Sequence, residues 1–305
     1  TGAMGAPLKP EFRKGFEYSD ARVDDTRLVV LNARDAAARG AGIAVRTEVV
    51  SARRVAGGWQ IRIRDLRTGA ESDVQARFLV NAAGPWVDGV LAGVVGHAAP
   101  HNVRLVQGSH IVLRQLYEHD RAYIFQNADG RIIFAIPYHS GTTLVGTTDR
   151  DYEGDPAKAA ICDEEIDYLI AAASEYFEKP LRRDDIVWSF SGVRPLFDDH
   201  AGKAQEATRD YVLKTEGDVG EAPLLNIFGG KITTYRKLAE DALGEIESRL
   251  GVRGPAFTGT QPLPGGDFPL DGVAALEARL GDIAPGLDSA TRTRMVSAYG
   301  TDALA

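Results

Sequence analysis

The chain has 305 residues, 44% of them hydrophobic and 26% charged, which is the composition of a globular protein with a sizeable core and not of a disordered one. A net charge of −8 argues against nucleic acid as a partner, and the single cysteine, Cys162, rules out an intrachain disulfide and suits a reducing cytoplasm. No secretory leader and no apolar run of the ~18 residues that a membrane span needs is visible.

Thr1 to Gly5 is set aside from fold reasoning. Asp24 or Asp25 can cap a helix that runs to Arg39 and ends at Gly40. Ile43 to Val55 alternates as a strand does, and Trp59 to Leu66 should pair with the stretch around Val74 across a turn at Thr68-Gly69. The all-apolar run Phe78-Leu79-Val80 reads as a buried parallel strand leading into Asn81-Ala82-Ala83-Gly84-Pro85-Trp86 and a helix. From Arg104 the character changes. Short strands are expected at Ser109–Leu113, Ala122–Gln126, Arg131–Ile136 and Thr143–Gly146, with a hairpin turn at Asn127–Gly130. A helix follows over Asp163–Phe177, then strands over Asp185–Arg194 and Thr208–Lys214.

Pro223 to Phe228 is a short apolar segment suited to a buried strand. After Gly229-Gly230-Lys231, the residues Leu238, Ala242, Ile246 and Leu250, with Ala239 and Leu243 beside them, form the apolar stripe of a helix that Gly251 ends. Strand, glycine pair and helix together let a ligand lie against bare backbone at a positive dipole end, with Lys231 and Arg236 nearby. The same pattern also suits a plain turn. Gly254–Pro269 is a linker, and Asp271–Ala305 is helical. The order is α/β, then an antiparallel sheet, then α/β again. We expect a partial cofactor-binding domain over 1–100, an antiparallel-sheet substrate domain over 101–217, a return to the first domain over 218–253, and a linker with a truncated helical domain over 254–305.

Motifs for zinc proteases, paired cysteines and serine hydrolases are absent. Gly40-Ala41-Gly42 lacks a third glycine and follows a helix, so it is no dinucleotide fingerprint. Asp198-Asp199-His200 reads as a solvated loop rather than a metal site, and no metal is expected. Four stretches can carry chemistry: Gly108-Ser109-His110 opening a strand, Ser191–Leu196 ending another, Thr208–Tyr211 beginning a third, and the stretch around Lys231. Arg194, Arg209 and Lys231 with one titratable histidine, His110, suit a phosphate-bearing substrate that must lose a proton. Singly, each arginine could equally be a surface ion pair and His110 a packed side chain. His97, His101, His119, His139 and His200 read as ordinary.

Six motifs stand here in the order found in one family: Gly15–Asp20, Asn81–Trp86, Gly108–His110, Gly146-Thr147-Thr148-Asp149, Ser191–Leu196 and Phe228–Arg236. In these the chain resembles FAD-dependent glycerol-3-phosphate dehydrogenases of the bacterial aerobic type, within the broader group similar to D-amino-acid and glycine oxidases. The resemblance implies non-covalent FAD, oxidation of sn-glycerol 3-phosphate to dihydroxyacetone phosphate, and electrons passed to membrane quinone. It implies a cytoplasmic protein held peripherally at the inner face of the membrane, and is compatible with a homodimer. It places Asn81, Ala82, Ala83, Gly84 and Trp86, together with Gly229, Gly230, Lys231, Ile232 and Thr233, at the flavin. It places Arg194, Lys231 and Arg209 at the substrate, and His110 as acceptor of the hydroxyl proton. The family's opening strand, Gly-x-Gly-x-x-Gly turn and helix are missing, so the chain reads as a fragment with impaired FAD binding. Glycerol-3-phosphate oxidase, which returns electrons to oxygen, shares the motifs. A non-catalytic module binding a phosphorylated ligand or a partner protein is the reading from another class.

Overall fold

Caps and glycine turns set the element boundaries in the computed structural model, which describes residues 2–98, 101–139, 141–198, 210–252 and 254–305. The side chain of Asp24 accepts from Arg27 N and starts helix α1 (Asp25–Ala38); Gly40, at φ +96°, follows its end. Then come β1 (Thr47–Val55), β2 (Gly58–Asp65), β3 (Glu71–Ala76), β4 (Leu79–Asn81), the short helix α2 (Val87–Val90), β5 (Val103–Arg114), β6 (Tyr123–Gln126), β7 (Ile132–Tyr138), β8 (Thr142–Gly146), β9 (Arg150–Asp151), α3 (Asp163–Ser174), β10 (Ile186–Phe197), β11 (Val212–Glu216), β12 (Leu224–Phe228), α4 (Tyr235–Leu250), α5 (Val273–Ile283) and α6 (Ser289–Tyr299). The mixed α/β class expected from the sequence is the one observed.

Three sheets form: β1-β2-β3, the antiparallel sheet β10-β5-β8-β7-β6 with β9 on β5, and β11-β12-β4, in which β12 runs parallel to β4 and antiparallel to β11. The chain divides into two compact units. One comprises Thr1–Tyr18, Val50–Arg62 and Asp73–Leu238; the other comprises Ser19–Val49, Ile63–Ser72 and Ala239–Ala305. In the first unit, α3 lies on one face of the large sheet. Leu169, Ala172 and Ala173 of α3 pack with Phe177, Ile111, Leu113, Phe125, Ile133, Ala135 and Val145 in a single buried cluster. In the second unit, Leu276 and Leu280 of α5 pack with Val296 of α6 and Ala303.

Several expectations need correction. The first strand starts at Thr47 and not Ile43, because Arg46 turns the chain at φ +53°. The third helix stops at Ser174, where the Pro7–Lys9 segment captures the next backbone groups: Lys9 N donates to Tyr176 O and Glu178 N to Pro7 O. Val80 is exposed rather than buried, since β4 has one neighbour, β12, among the described residues. Gly108-Ser109-His110 stands in the middle of β5, not at its start, because pairing with β10 extends the strand back to Val103. On α4, Ala242 is buried while Leu243 is exposed, so the apolar stripe is only partly covered. The strand expected over Thr208–Lys214 is seen as β11; residues 199–209 lie outside those described. No described helix is long and apolar enough to cross a membrane.

Candidate active site

Residues directly opposite one another in an antiparallel pair share a face. Phe190, His110, Gly146 and Phe134 stand opposite one another across β10, β5, β8 and β7. That row faces away from α3, because Ile111 and Val145, one residue along, belong to the cluster under α3. Two glycines clear this face. A Cβ on Gly146 would collide with His110 Cδ2 and lie 2.7 Å from Nε2; a Cβ on Gly108 would lie 2.5 Å from Arg194 Nη2. The imidazole rests over Gly146 and stacks on Phe190, with centroids 5.0 Å apart and planes 10° from parallel. The guanidinium of Arg194 lies over Gly108.

Arg194 is not free. Its Nη1 donates to Asp149 Oδ1 at 2.5 Å and its Nη2 to Thr147 Oγ1 at 3.2 Å. Two of its five N–H groups are used this way among the described residues, which leaves donors for a ligand. His110 Nδ1 is buried and has no hydrogen-bond partner among the described residues. Burial first, and then the positive Arg194, push the imidazole from 6.5 down to about 4. At neutral pH it is therefore uncharged and able to accept a proton.

The third component meets the outer edge of β10 near its end. The β12 strand is buried from Leu224 to Asn226 and again at Phe228, and Phe228 lies against Phe197 of β10, centroids 5.9 Å apart. Gly229 and Gly230 follow at φ +71° and +103°. A Cβ on Gly229 would lie 2.9 Å from Asp210 O and 3.7 Å from both Pro195 O and Phe197 N, so only glycine lets the turn approach β10 beside Arg194. Lys231, Ile232 and Thr233 are exposed at the start of the helical run that becomes α4. Among the described residues, no acceptor faces the backbone amides of Gly230, Lys231 and Ile232. Such amides and the helix dipole favour negative charge.

Next to this turn, β4 ends on Asn81. Its Nδ2 donates to Val87 O and to Asn226 Oδ1, both at 3.0 Å, and Asn226 in turn donates to Glu216 Oε1 at 2.8 Å. This buried chain ties β4, β12 and β11 together. It fixes the start of the segment through Ala82, Ala83, Gly84 and Trp86, of which Ala82 and Trp86 are exposed; Asn81 Oδ1 has no partner among the described residues.

His110 and Arg194 are thus brought together, and the Gly229-Gly230 turn meets the strand that carries Arg194. Lys231 is exposed beyond that turn, and Arg209 lies outside the described residues. Sequence reasoning quoted Gly146 to Asp149 as a motif but missed that Gly146 houses the imidazole and that Asp149 holds Arg194. It also missed Phe190 and Glu165, for which no local signal exists: Glu165 looks like one more acid at a helix start.

A strand–glycine–helix turn set beside a sheet face that carries an uncharged imidazole and a guanidinium is the architecture of a cofactor-dependent oxidoreductase. A family model described as FAD dependent oxidoreductase (DAO) matches residues 3–236, and the chain belongs to that family. It is 48% identical to a glycerol-3-phosphate dehydrogenase of Pseudomonas aeruginosa over 296 residues, covering 97% of this chain and 57% of the relative. It is 49% identical to a D-erythritol 1-phosphate dehydrogenase of Brucella abortus over 264 residues, covering 87% of this chain and 52% of the relative. The glycerol-3-phosphate dehydrogenase from Bacillus halodurans, solved in complex with FAD, superposes with a TM-score of 0.81 at 30% identity, over 98% of this chain and 58% of that one. The chain therefore spans about half the length of the curated relatives it matches.

Proposed function

We propose that this chain serves in the flavin-dependent oxidation of sn-glycerol 3-phosphate to dihydroxyacetone phosphate. The observation that carries the reading is His110: an uncharged imidazole whose buried Nδ1 has no partner among the described residues, on a face cleared by glycine, beside a guanidinium with donors to spare. A secondary alcohol loses a proton as its carbon gives up hydride, so an uncharged base beside an anion-binding cation is the pair required.

FAD, when bound, supplies the hydride acceptor. The chain has features that suit a flavin. Gly229 and Gly230 offer bare backbone, and the amides of Gly230, Lys231 and Ile232 have no acceptor among the described residues. These residues with Thr233 would hold the cofactor, and the helix start would stabilise negative charge gathering on it. Asn81, Ala82, Ala83, Gly84 and Trp86 would contribute from the end of β4. Arg194 and Lys231, with Arg209, would bind the phosphate. Residues 1–100 and 218–253 would then serve the cofactor, 101–217 the substrate, and 254–305 a helical region.

His110 is a weak base while Arg194 carries its full charge. A phosphate that offsets that charge raises the imidazole's proton affinity, so binding prepares the base. We further assign the electrons to membrane quinone and the protein to the inner face of the cytoplasmic membrane, a reading supported by similarity alone.

The test is to add FAD to the purified chain and to a version extended to its relatives' length, and then add substrate. Bleaching of the visible flavin band by sn-glycerol 3-phosphate is expected. D-Erythritol 1-phosphate, also a phosphorylated polyol, is added in parallel, because a relative of 49% identity is named for it. Flavin uptake with no reduction by either compound would refute the reading. Reoxidation by a quinone analogue against oxygen separates dehydrogenase from oxidase.

A further inference from the structure

Behind the His110 row, on the face that α3 covers, a carboxylate is buried in the sheet. Glu165 of α3 is 7% exposed. Its Oε1 accepts from Thr148 Oγ1 at 2.6 Å and from Ser109 Oγ at 2.8 Å; its Oε2 accepts from Gln107 Nε2 at 2.9 Å and from Cys162 N at 3.1 Å. Four donors fill both oxygens. Burial works to raise the carboxyl's pKa, but the bonds from Thr148, Ser109 and Cys162 outweigh it and hold the group below the usual range, so it is charged.

The cluster sits where the sheet's own ladder is interrupted. β5 pairs with β8 from His110 to Arg114, and with β9 only at Val106 and Gln107. Between them, residues 147–149 leave the regular ladder and keep one long backbone bond to β5, from Thr148 N to Ser109 O at 3.4 Å. Ser109 N, which has lost its strand partner there, donates instead to Thr148 Oγ1 at 2.9 Å. Ser109 Oγ also meets Ser191 Oγ of β10 at 2.8 Å. One carboxylate thus grips β5, the 147–149 connection and, through Ser109, β10. The same connection carries Thr147 and Asp149 forward to Arg194 on the opposite face.

We propose that Glu165 is the positioning residue of this site: by holding Thr148 and Ser109 it fixes the 147–149 connection, and through Asp149 and Thr147 it sets Arg194 beside His110. As a helix cap alone, it would need only the bond to Cys162 N. The proposal rests on the reading of His110 and Arg194 given above, but its readout does not require turnover or flavin.

The experiment follows the His110 resonance by NMR titration, assigned with His110→Asn, and measures calorimetric binding of inorganic phosphate and of sn-glycerol 3-phosphate. The variants are Glu165→Ala, Thr148→Val, Glu165→Gln and, as a neighbouring acid that does not enter the cluster, Glu164→Gln. Releasing Arg194 removes positive charge from His110, so in Glu165→Ala and Thr148→Val the midpoint should rise, by up to about one pH unit because burial is the larger cause of its displacement, and phosphate binding should weaken roughly tenfold. Simple loss of the Glu165 charge would move the midpoint down, the opposite sign. Glu165→Gln can donate to the Thr148 and Ser109 hydroxyls and accept from Gln107 and Cys162, so it should keep phosphate binding near wild type and leave the midpoint at or slightly below the wild-type value, never raised; Glu164→Gln should change neither readout. A Glu165→Ala protein with wild-type circular dichroism and an unmoved or lowered midpoint overturns the proposal. If that variant does not fold, an unmoved midpoint in Thr148→Val overturns it instead. A wild-type chain that binds no glycerol 3-phosphate, but whose His110 midpoint still rises in these variants, upholds the positioning role while counting against the proposed substrate.

Discussion

Replacing Gly146 by alanine tests the site at its tightest point. The new methyl would collide with His110 Cδ2 and stand 2.7 Å from Nε2 and 2.8 Å from Cγ. The ring cannot simply retreat, because Phe190 is stacked on it at 5.0 Å. Gly146 is not among the positive-φ residues, so alanine brings no backbone strain of its own. Overpacking of this kind costs about 1–3 kcal/mol. Gly-to-Ala in a strand, with no collision, gains about 0.5–1 kcal/mol. The two are separated by a double-mutant cycle with His110→Ala, read by urea unfolding. In wild type, Gly146→Ala should lower the midpoint concentration at unchanged slope; in His110→Ala it should be neutral or stabilising. The coupling expected is about 1–3 kcal/mol. Equal effects in the two backgrounds, within about 0.5 kcal/mol, would show that the imidazole does not occupy the space over Gly146 and would refute the construction of the site.

Acid should weaken the fold in a defined window. His110 falls from 6.5 to about 4 on folding, so between those values the unfolded chain binds more protons. Stability from this group is complete above pH 6.5, declines as pH falls, and is lost below about 4, on the order of 3 kcal/mol in all; His110→Asn should flatten that part of the profile. Arg194→Gln should raise the His110 midpoint toward 6.5 by NMR. In a flavin-loaded protein it should also weaken substrate capture by ~1.5–3 kcal/mol, and unchanged catalytic efficiency would remove Arg194 from the substrate. Gly229→Ala should destabilise by at least ~1–2 kcal/mol, because it adds left-handed strain to a 2.9 Å approach to Asp210 O. Gly244→Ala, mid-helix in α4 with open space around it, should stabilise by ~0.5–1 kcal/mol; both glycine variants are read by the same urea unfolding.

How much of this was legible in the chain depends on how far each interaction reaches. Asp24 capping α1, Gly130 and Gly69 in hairpin turns, Gly251 after α4 and the strand–glycine–glycine–helix run at Leu224–Leu250 all depend on φ preferences and hydrogen bonds among near neighbours, so the residues announce them. The motifs likewise named His110 and Arg194 as members of one site. What could not be read was which face each side chain takes and whom it meets, because strand register is settled only when distant segments pair. That pairing puts Gly146 and Gly108 under His110 and Arg194, gives Arg194 to Asp149, leaves Val80 in solvent, and draws Glu165 out of an acidic helix start into the middle of a sheet. Local chemistry therefore chose the elements and the reactive residue types. Long-range strand pairing, together with the need to satisfy every buried donor and charge, decided how they work together.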